Sequence, residues 1–158
     1  MKAVLALGVG FLVVVSVAVA ADPGVTNVTD GLKWVDTPLL PPGAKVAILY
    51  GDPVKPGELF IQRVKFPANY TIPVHTHAYD ETVTLISGKL NLGEGSEFSK
   101  DKTRSLLPGA FVIDWAKHAH FAWTGDEETI IQISAIGPFG LEYVDPADDP
   151  RNTAVTKR

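Results

Sequence analysis

Between residues 44 and 144 short apolar runs alternate with turns rich in Gly, Pro, Asn and Asp. Phe60, Gln62, Val64 and Phe66 fall on one face of a period-two run, and Leu59, Ile61, Arg63 and Lys65 on the other, the pattern of a half-buried strand. The same reading predicts strands over 33–39, 44–50, 58–66, 70–77, 80–87, 89–92, 110–114, 119–123, 129–136 and 140–144. Pro73 interrupts one of these and removes a ladder hydrogen bond, which marks an edge or a bulge there. Residues 93–103 are polar and read as the longest internal loop. No segment beyond residue 20 holds a sustained helical period. Roughly ten short strands with regular turns predict an all-β sandwich or barrel. Gln62 shares the inward face of its strand, and a buried amide must find hydrogen-bond partners, so it is a candidate for a site or its surroundings.

The amino terminus has a different pattern. Met1-Lys2 is followed by an apolar run from Ala3 to Ala20, ending Ala18-Val19-Ala20. A charged start, an apolar middle and small residues at the end read as a secretory signal peptide cleaved after Ala20. The competing reading is an uncleaved anchor, since the run is nearly long enough to span a bilayer. The expected organisation is a signal peptide over 1–20, a leader and first strand over 21–43, a barrel over 44–144 and a flexible tail over 145–158. The expected location is the periplasm or the outside of the cell, with no stable membrane insertion after cleavage. Without Lys2 the chain holds 13 basic against 18 acidic residues. That balance argues against nucleic acid as a partner and gives no basic membrane patch. There is no cysteine, so neither a disulfide nor a thiolate ligand or nucleophile is available.

The chain has only four histidines, and all lie in two stretches, 75–81 and 115–120. His75 and His77 are one residue apart and project to the same side of a strand. Glu81 adds a hard oxygen donor four residues later. Imidazole and carboxylate together suit a divalent transition metal with open coordination positions. His120 belongs to the second stretch, and His118 shares its parity but sits where a turn is expected.

These stretches resemble the cupin family, the small double-stranded β-helix or jelly roll. Its first motif, G-x5-H-x-H-x3,4-E-x6-G, is matched by Asn69, His75, His77, Glu81 and Gly88. Only the opening glycine differs, and asparagine is the usual substitute where a turn needs a positive φ. The second motif, G-x5-P-x-G-x2-H-x3-N, is matched by Gly109 and His120, with Trp115, Lys117 and Thr124 in the proline, glycine and asparagine places. All three departures fall in turns and leave the histidine in place. The resemblance implies an all-β cupin barrel with one divalent metal held by His75, His77, Glu81 and His120. Iron or manganese are the first expectation, with nickel or zinc as alternatives. It also implies a small-molecule substrate and a homodimer paired through sheet edges.

Other residues refine the expected chemistry. Val83 and Leu85 share the parity of Glu81 and make that wall apolar. Lyases of this fold that cleave dimethylsulfoniopropionate place a tyrosine two residues after the glutamate, where this chain has Val83. Oxalate chemistry needs a cation or amide beside the metal, which Gln62 supplies only in part. Tyr79, His118 and Gln62 are the candidate catalytic residues. Trp115, Phe121 and Trp123 read as core packing or as an apolar substrate rim. The expected function is a metal-dependent, dioxygenase-like oxidoreductase acting on a small chelating organic substrate. The alternatives are a non-oxidative metal enzyme (isomerase, lyase or decarboxylase) and a small-ligand binding module.

Overall fold

The computed structural model describes residues 31–153. The expected signal peptide, the start of the leader and the last residues of the tail lie outside the described residues. Eleven strands form: β1 (Val35–Asp36), β2 (Lys45–Tyr50), β3 (Leu59–Phe66), β4 (Thr71–Thr76), β5 (Glu81–Ser87), β6 (Leu90–Glu94), β7 (Thr103–Leu106), β8 (Phe111–Asp114), β9 (His120–Thr124), β10 (Thr129–Ile136) and β11 (Glu142–Tyr143). They make two antiparallel sheets, ordered β1-β2-β3-β10-β5-β8 and β11-β4-β9-β6-β7. This is the expected all-β jelly roll.

Alternation places the core. Phe60, Val64 and Phe66 of β3, Val83 and Leu85 of β5, and Ile131 and Ile133 of β10 line the inside of the first sheet. Ile72, Leu90, Leu92 and Ala122 meet them from the second. Each large side chain taken from water contributes about 1.5–3 kcal/mol before chain entropy is counted. Two buried threonines secure the frame. Thr124, in the second motif's asparagine place, accepts from the Tyr70 amide at 2.8 Å and donates to the Pro67 carbonyl at 2.8 Å. Thr129 accepts from the Lys89 amide at 3.3 Å and donates to the Lys89 carbonyl at 3.1 Å.

The substituted turn positions keep the backbone that the motifs require. Asn69 has φ 57° and Lys117 φ 61°, so both non-glycine residues hold the left-handed conformation. Gly88 does need to be glycine: besides φ 79°, a Cβ there would lie 2.5 Å from the Glu128 carbonyl oxygen.

Pro73 marks a bulge. Ile72 pairs with Ala122 and His75 with His120; the three-residue step on β4 against two on β9 is one extra residue. Strict alternation from the buried Ile72 would turn His75 outward. The extra residue turns it inward.

Two stretches differ from their sequence reading. The 93–103 loop is partly built: β6 runs to Glu94, a 3-10 turn spans Lys100–Lys102, and the connection covers the outer face of β9. There Phe121 packs on Phe98 with ring centroids 4.9 Å apart. Beyond residue 145, a 3-10 turn (Pro146–Asp148) and α1 (Pro150–Thr153) form, and Arg151 binds Asp149 and the Leu141 carbonyl.

Candidate metal centre

His75 and His120 are direct cross-strand partners on β4 and β9, and His77 follows β4 by one residue. The turn after β8 is tied to the first stretch. The Lys117 amide donates to the His77 carbonyl at 2.8 Å, and the Ala116 amide to Asp80 Oδ1 at 2.8 Å. The two sequence motifs therefore meet in one place. One ring nitrogen from each of His75, His77 and His120 lies within 4.8 Å of the others, and all three residues are buried. Such a set can bind a metal ion.

The rings are oriented for it. Each Nδ1 faces a backbone carbonyl: His75 that of Pro73 at 2.7 Å, His77 that of Gly140 at 3.0 Å, and His120 that of His118 at 3.0 Å. A carbonyl only accepts, so each Nδ1 carries the proton and each Nε2 presents a bare lone pair. Fixing the ring through its other nitrogen is what holds a metal-binding histidine in place. The bulge at Pro73 both turns His75 inward and supplies its carbonyl.

Burial favours the neutral form of His75 and His77. Desolvation, then the neighbouring His120 and His77, push His75 well below its ordinary pKa, against the pull of the Pro73 carbonyl. His77 falls from 6.5 to about 4, again chiefly through burial and His120. Glu81, 4% exposed, is raised well above 4.5 by burial and then by Asp114. Its Oε1 stands 3.5 Å from His77 Nε2. With both groups neutral that contact is not an ion pair. Neither His77 Nε2 nor Glu81 Oε2 has a hydrogen-bond partner among the described residues. Buried polar atoms left without partners are costly, and a bound cation would satisfy both. Glu81, the expected fourth donor, thus lies beside His77 but outside the mutually close set of three imidazoles.

Sequence reasoning missed Asp114. It is the direct cross-strand partner of Glu81 on β8, so both carboxylates project to the same face. Asp114 Oδ2 lies 3.8 Å from His120 Nε2. Burial raises its pKa, while His120 and Arg104 pull it back.

The histidines, Glu81 and Asp114 form one end of a cavity of about 60 Å³ that continues between the sheets past Val83, Ile133 and Leu92. One water needs about 10–15 Å³ on this scale, so an ion with a few waters, or a compact organic group, fits. Gln62, 3% exposed, lines the cavity, and its Nε2 has no partner among the described residues. The inward reading of Gln62 holds, and it offers a free donor to whatever enters. The Tyr143 hydroxyl donates to the Leu39 carbonyl at 2.8 Å, and the Tyr70 hydroxyl to that of Pro41, tying the β1–β2 connection over the cavity's flank. On the opposite edge of the sandwich, Asp114 and His120 also border a groove of about 180 Å³ with Glu94, Arg104 and Trp115.

The remaining candidates are placed as follows. His118 is half exposed in that groove, its Nε2 3.5 Å from Glu94 Oε2. Tyr79 is 50% exposed and does not line the cavity, but it borders a neighbouring hollow shared with His77, Glu81, Pro138 and Phe139. Trp115 is exposed at the groove, which fits the rim reading. Phe121 is fully buried and Trp123 half-buried on the outer side of β9, where they pack under the β6–β7 connection rather than at the site.

Comparison with solved structures places the fold among the cupins. The polyketide cyclase RemF from Streptomyces resistomycificus superposes with a TM-score of 0.63 at 17% identity, over 82% of this chain and 91% of that one. An RmlC-like cupin from Shewanella frigidimarina gives 0.53 at 15% identity, over 67% and 84%. An oxalate oxidase gives 0.52 at 20% identity, over 69% and 59%. Identities this low show a shared fold and leave the activity open. No protein-family profile and no curated protein sequence matches the chain. The protein therefore has the cupin jelly-roll fold, with three buried histidines able to hold a metal ion.

Proposed function

We propose that this protein is a metal-dependent enzyme acting on a small chelating organic molecule, with dioxygenase-like oxidation as its chemistry. One observation carries the reading: three buried imidazoles with every Nδ1 facing a carbonyl and one nitrogen of each ring within 4.8 Å of the others. His75, His77, His120 and Glu81 would hold one divalent ion, with iron or manganese first and nickel or zinc as alternatives. Such an ion supplies Lewis acidity and, if redox-active, one-electron chemistry with dioxygen. The protein's part is positioning and exclusion of water. Val83, Ile133 and Leu92 give the substrate a dry apolar wall, and Gln62 donates to an acceptor on it. The groove beside Trp115 and Arg104 gives a route to the site. We further propose that the chain is exported through its amino-terminal apolar run and works as a homodimer. The short, exposed β1 at the edge of the six-stranded sheet supports the pairing.

Elemental analysis of protein isolated from its native compartment, beside Glu81→Ala, tests the centre. About one equivalent of iron or manganese, lost in the variant, is expected. Substrate screening with and without dioxygen then tests the reaction class. Turnover undiminished without dioxygen would move the reading to an isomerase, lyase or decarboxylase. A tightly held small molecule that is never converted would make the protein a binding module.

A further inference from the structure

We propose that Asp114 is a fifth protein donor to the ion held by His75, His77, His120 and Glu81. The inference rests on the metal-centre reading above and sharpens it. Glu81 and Asp114 occupy equivalent places. They are opposite one another across β5 and β8 without any slip in register. Each brings one carboxylate oxygen towards the bare Nε2 of a different histidine, Glu81 to His77 at 3.5 Å and Asp114 to His120 at 3.8 Å. His120 commits its Nδ1 to the His118 carbonyl at 3.0 Å, which leaves its Nε2 facing Asp114. Each contact sets a ring nitrogen and a carboxylate oxygen too far apart for a good hydrogen bond but close enough to share one ion. Beside the contact of Glu81 with His77, His77 Nε2 and Glu81 Oε2 have no hydrogen-bond partner among the described residues, an independent sign that this end of the cavity suits a cation.

Five protein donors change what the centre can do. Two carboxylates balance a divalent ion, so the loaded site is neutral. An octahedral ion also has fewer positions left for exchangeable ligands. One position would then remain, and a substrate chelating through two atoms would have to displace one protein donor as well. Asp114 sits where the cavity and the groove meet, lining both together with His120.

The test is Mn²⁺ binding by metal-stripped wild type, Asp114→Ala, Asp114→Asn and Glu81→Ala, with the water-proton relaxation of each Mn²⁺-loaded protein. Asp114→Ala is expected to bind Mn²⁺ at least about tenfold more weakly and to relax water protons faster, because water takes the vacated position. Asp114→Asn keeps the shape with a weaker oxygen donor and should fall between. Thermal unfolding of the stripped proteins checks that each variant folds; if Asp114→Ala does not, weakened binding by Asp114→Asn carries the test. Wild-type affinity and relaxation in the Asp114 variants, with Mn²⁺ binding lost in Glu81→Ala, would overturn the role of Asp114 and leave the metal centre standing. Absence of binding by the wild type itself would overturn both.

Discussion

The two ends of the barrel interior treat buried polar groups in opposite ways. Around Phe66 and Leu85 the few polar side chains are satisfied. Thr124 and Thr129, both within 1% of full burial, each accept one backbone bond and donate another. At the other end Gln62, His77 and Glu81 are as deeply buried but leave Nε2, Nε2 and Oε2 without partners. The first end follows the rule that buried polar groups are hydrogen-bonded. The second breaks it three times within one cavity. The contrast separates what holds the sandwich together from what the sandwich is held together for. Unsatisfied groups survive in a fold when a ligand satisfies them or when the rest of the core offsets their cost.

Substitutions at the satisfied end should act on stability alone. Phe66→Ala removes a ring packed against Tyr70 with centroids 5.4 Å apart. It should cost about 3–5 kcal/mol in urea unfolding, with the same loss in metal-free and metal-loaded protein. Thr129→Val keeps the volume but strips the Lys89 amide and carbonyl of their partner. A loss of about 1–3 kcal/mol is expected, again independent of metal.

At the unsatisfied end the signs reverse. Glu81→Gln removes a buried group that favours protonation, so the metal-free variant should equal or exceed the wild type in stability at neutral pH, while stabilisation by metal disappears. The pH dependence sharpens this. The pKa of His77 falls from 6.5 unfolded to about 4 folded. Between those values the unfolded chain takes up a proton that the folded chain refuses, so this residue lowers stability as the pH falls. Glu81 is raised above 4.5, so its contribution is complete at low pH and is lost as the pH rises. In the wild type the two trends oppose each other. Metal-free Glu81→Gln should therefore gain stability more steeply than the wild type between pH 4 and pH 6.5, measured by urea unfolding at each pH; equal slopes would contradict the burial of Glu81. The smallest effect belongs to Gln62→Leu. Replacing an amide whose Nε2 has no partner by an apolar group of similar shape should leave stability within about 1 kcal/mol or raise it. A substrate that uses the amide would show a raised KM.

Much of this end was legible in the sequence. His75, His77, Glu81 and His120 stood out by spacing, and at the other end Asn69 by its tolerance of positive φ. Pro73 announced the bulge without saying that the extra residue aims His75. Asp114 was not legible, for a physical reason. On β8 the larger apolar side chains, Phe111 and Ile113, face outward at 60% and 43% exposure, while Val112 and Asp114 face the cavity. Hydrophobicity alone assigns that strand the wrong way round, and only its register against Glu81 corrects it. The placement of Phe121 was hidden similarly. It is buried on the outer face of its sheet because the β6–β7 connection folds over it and Gly93 makes room; a Cβ there would lie 2.3 Å from the ring. A polar loop gives no sequence signal that it will act as a lid on an aromatic side chain.

The central claim is that the unsatisfied end is a metal site. Calorimetric titration of metal-stripped protein with Mn²⁺, Fe²⁺, Ni²⁺ and Zn²⁺ tests it most directly. The account predicts about one ion bound per chain and no binding by a His75→Ala, His120→Ala double variant that still unfolds cooperatively. Failure of the folded wild type to bind any of the four would contradict it.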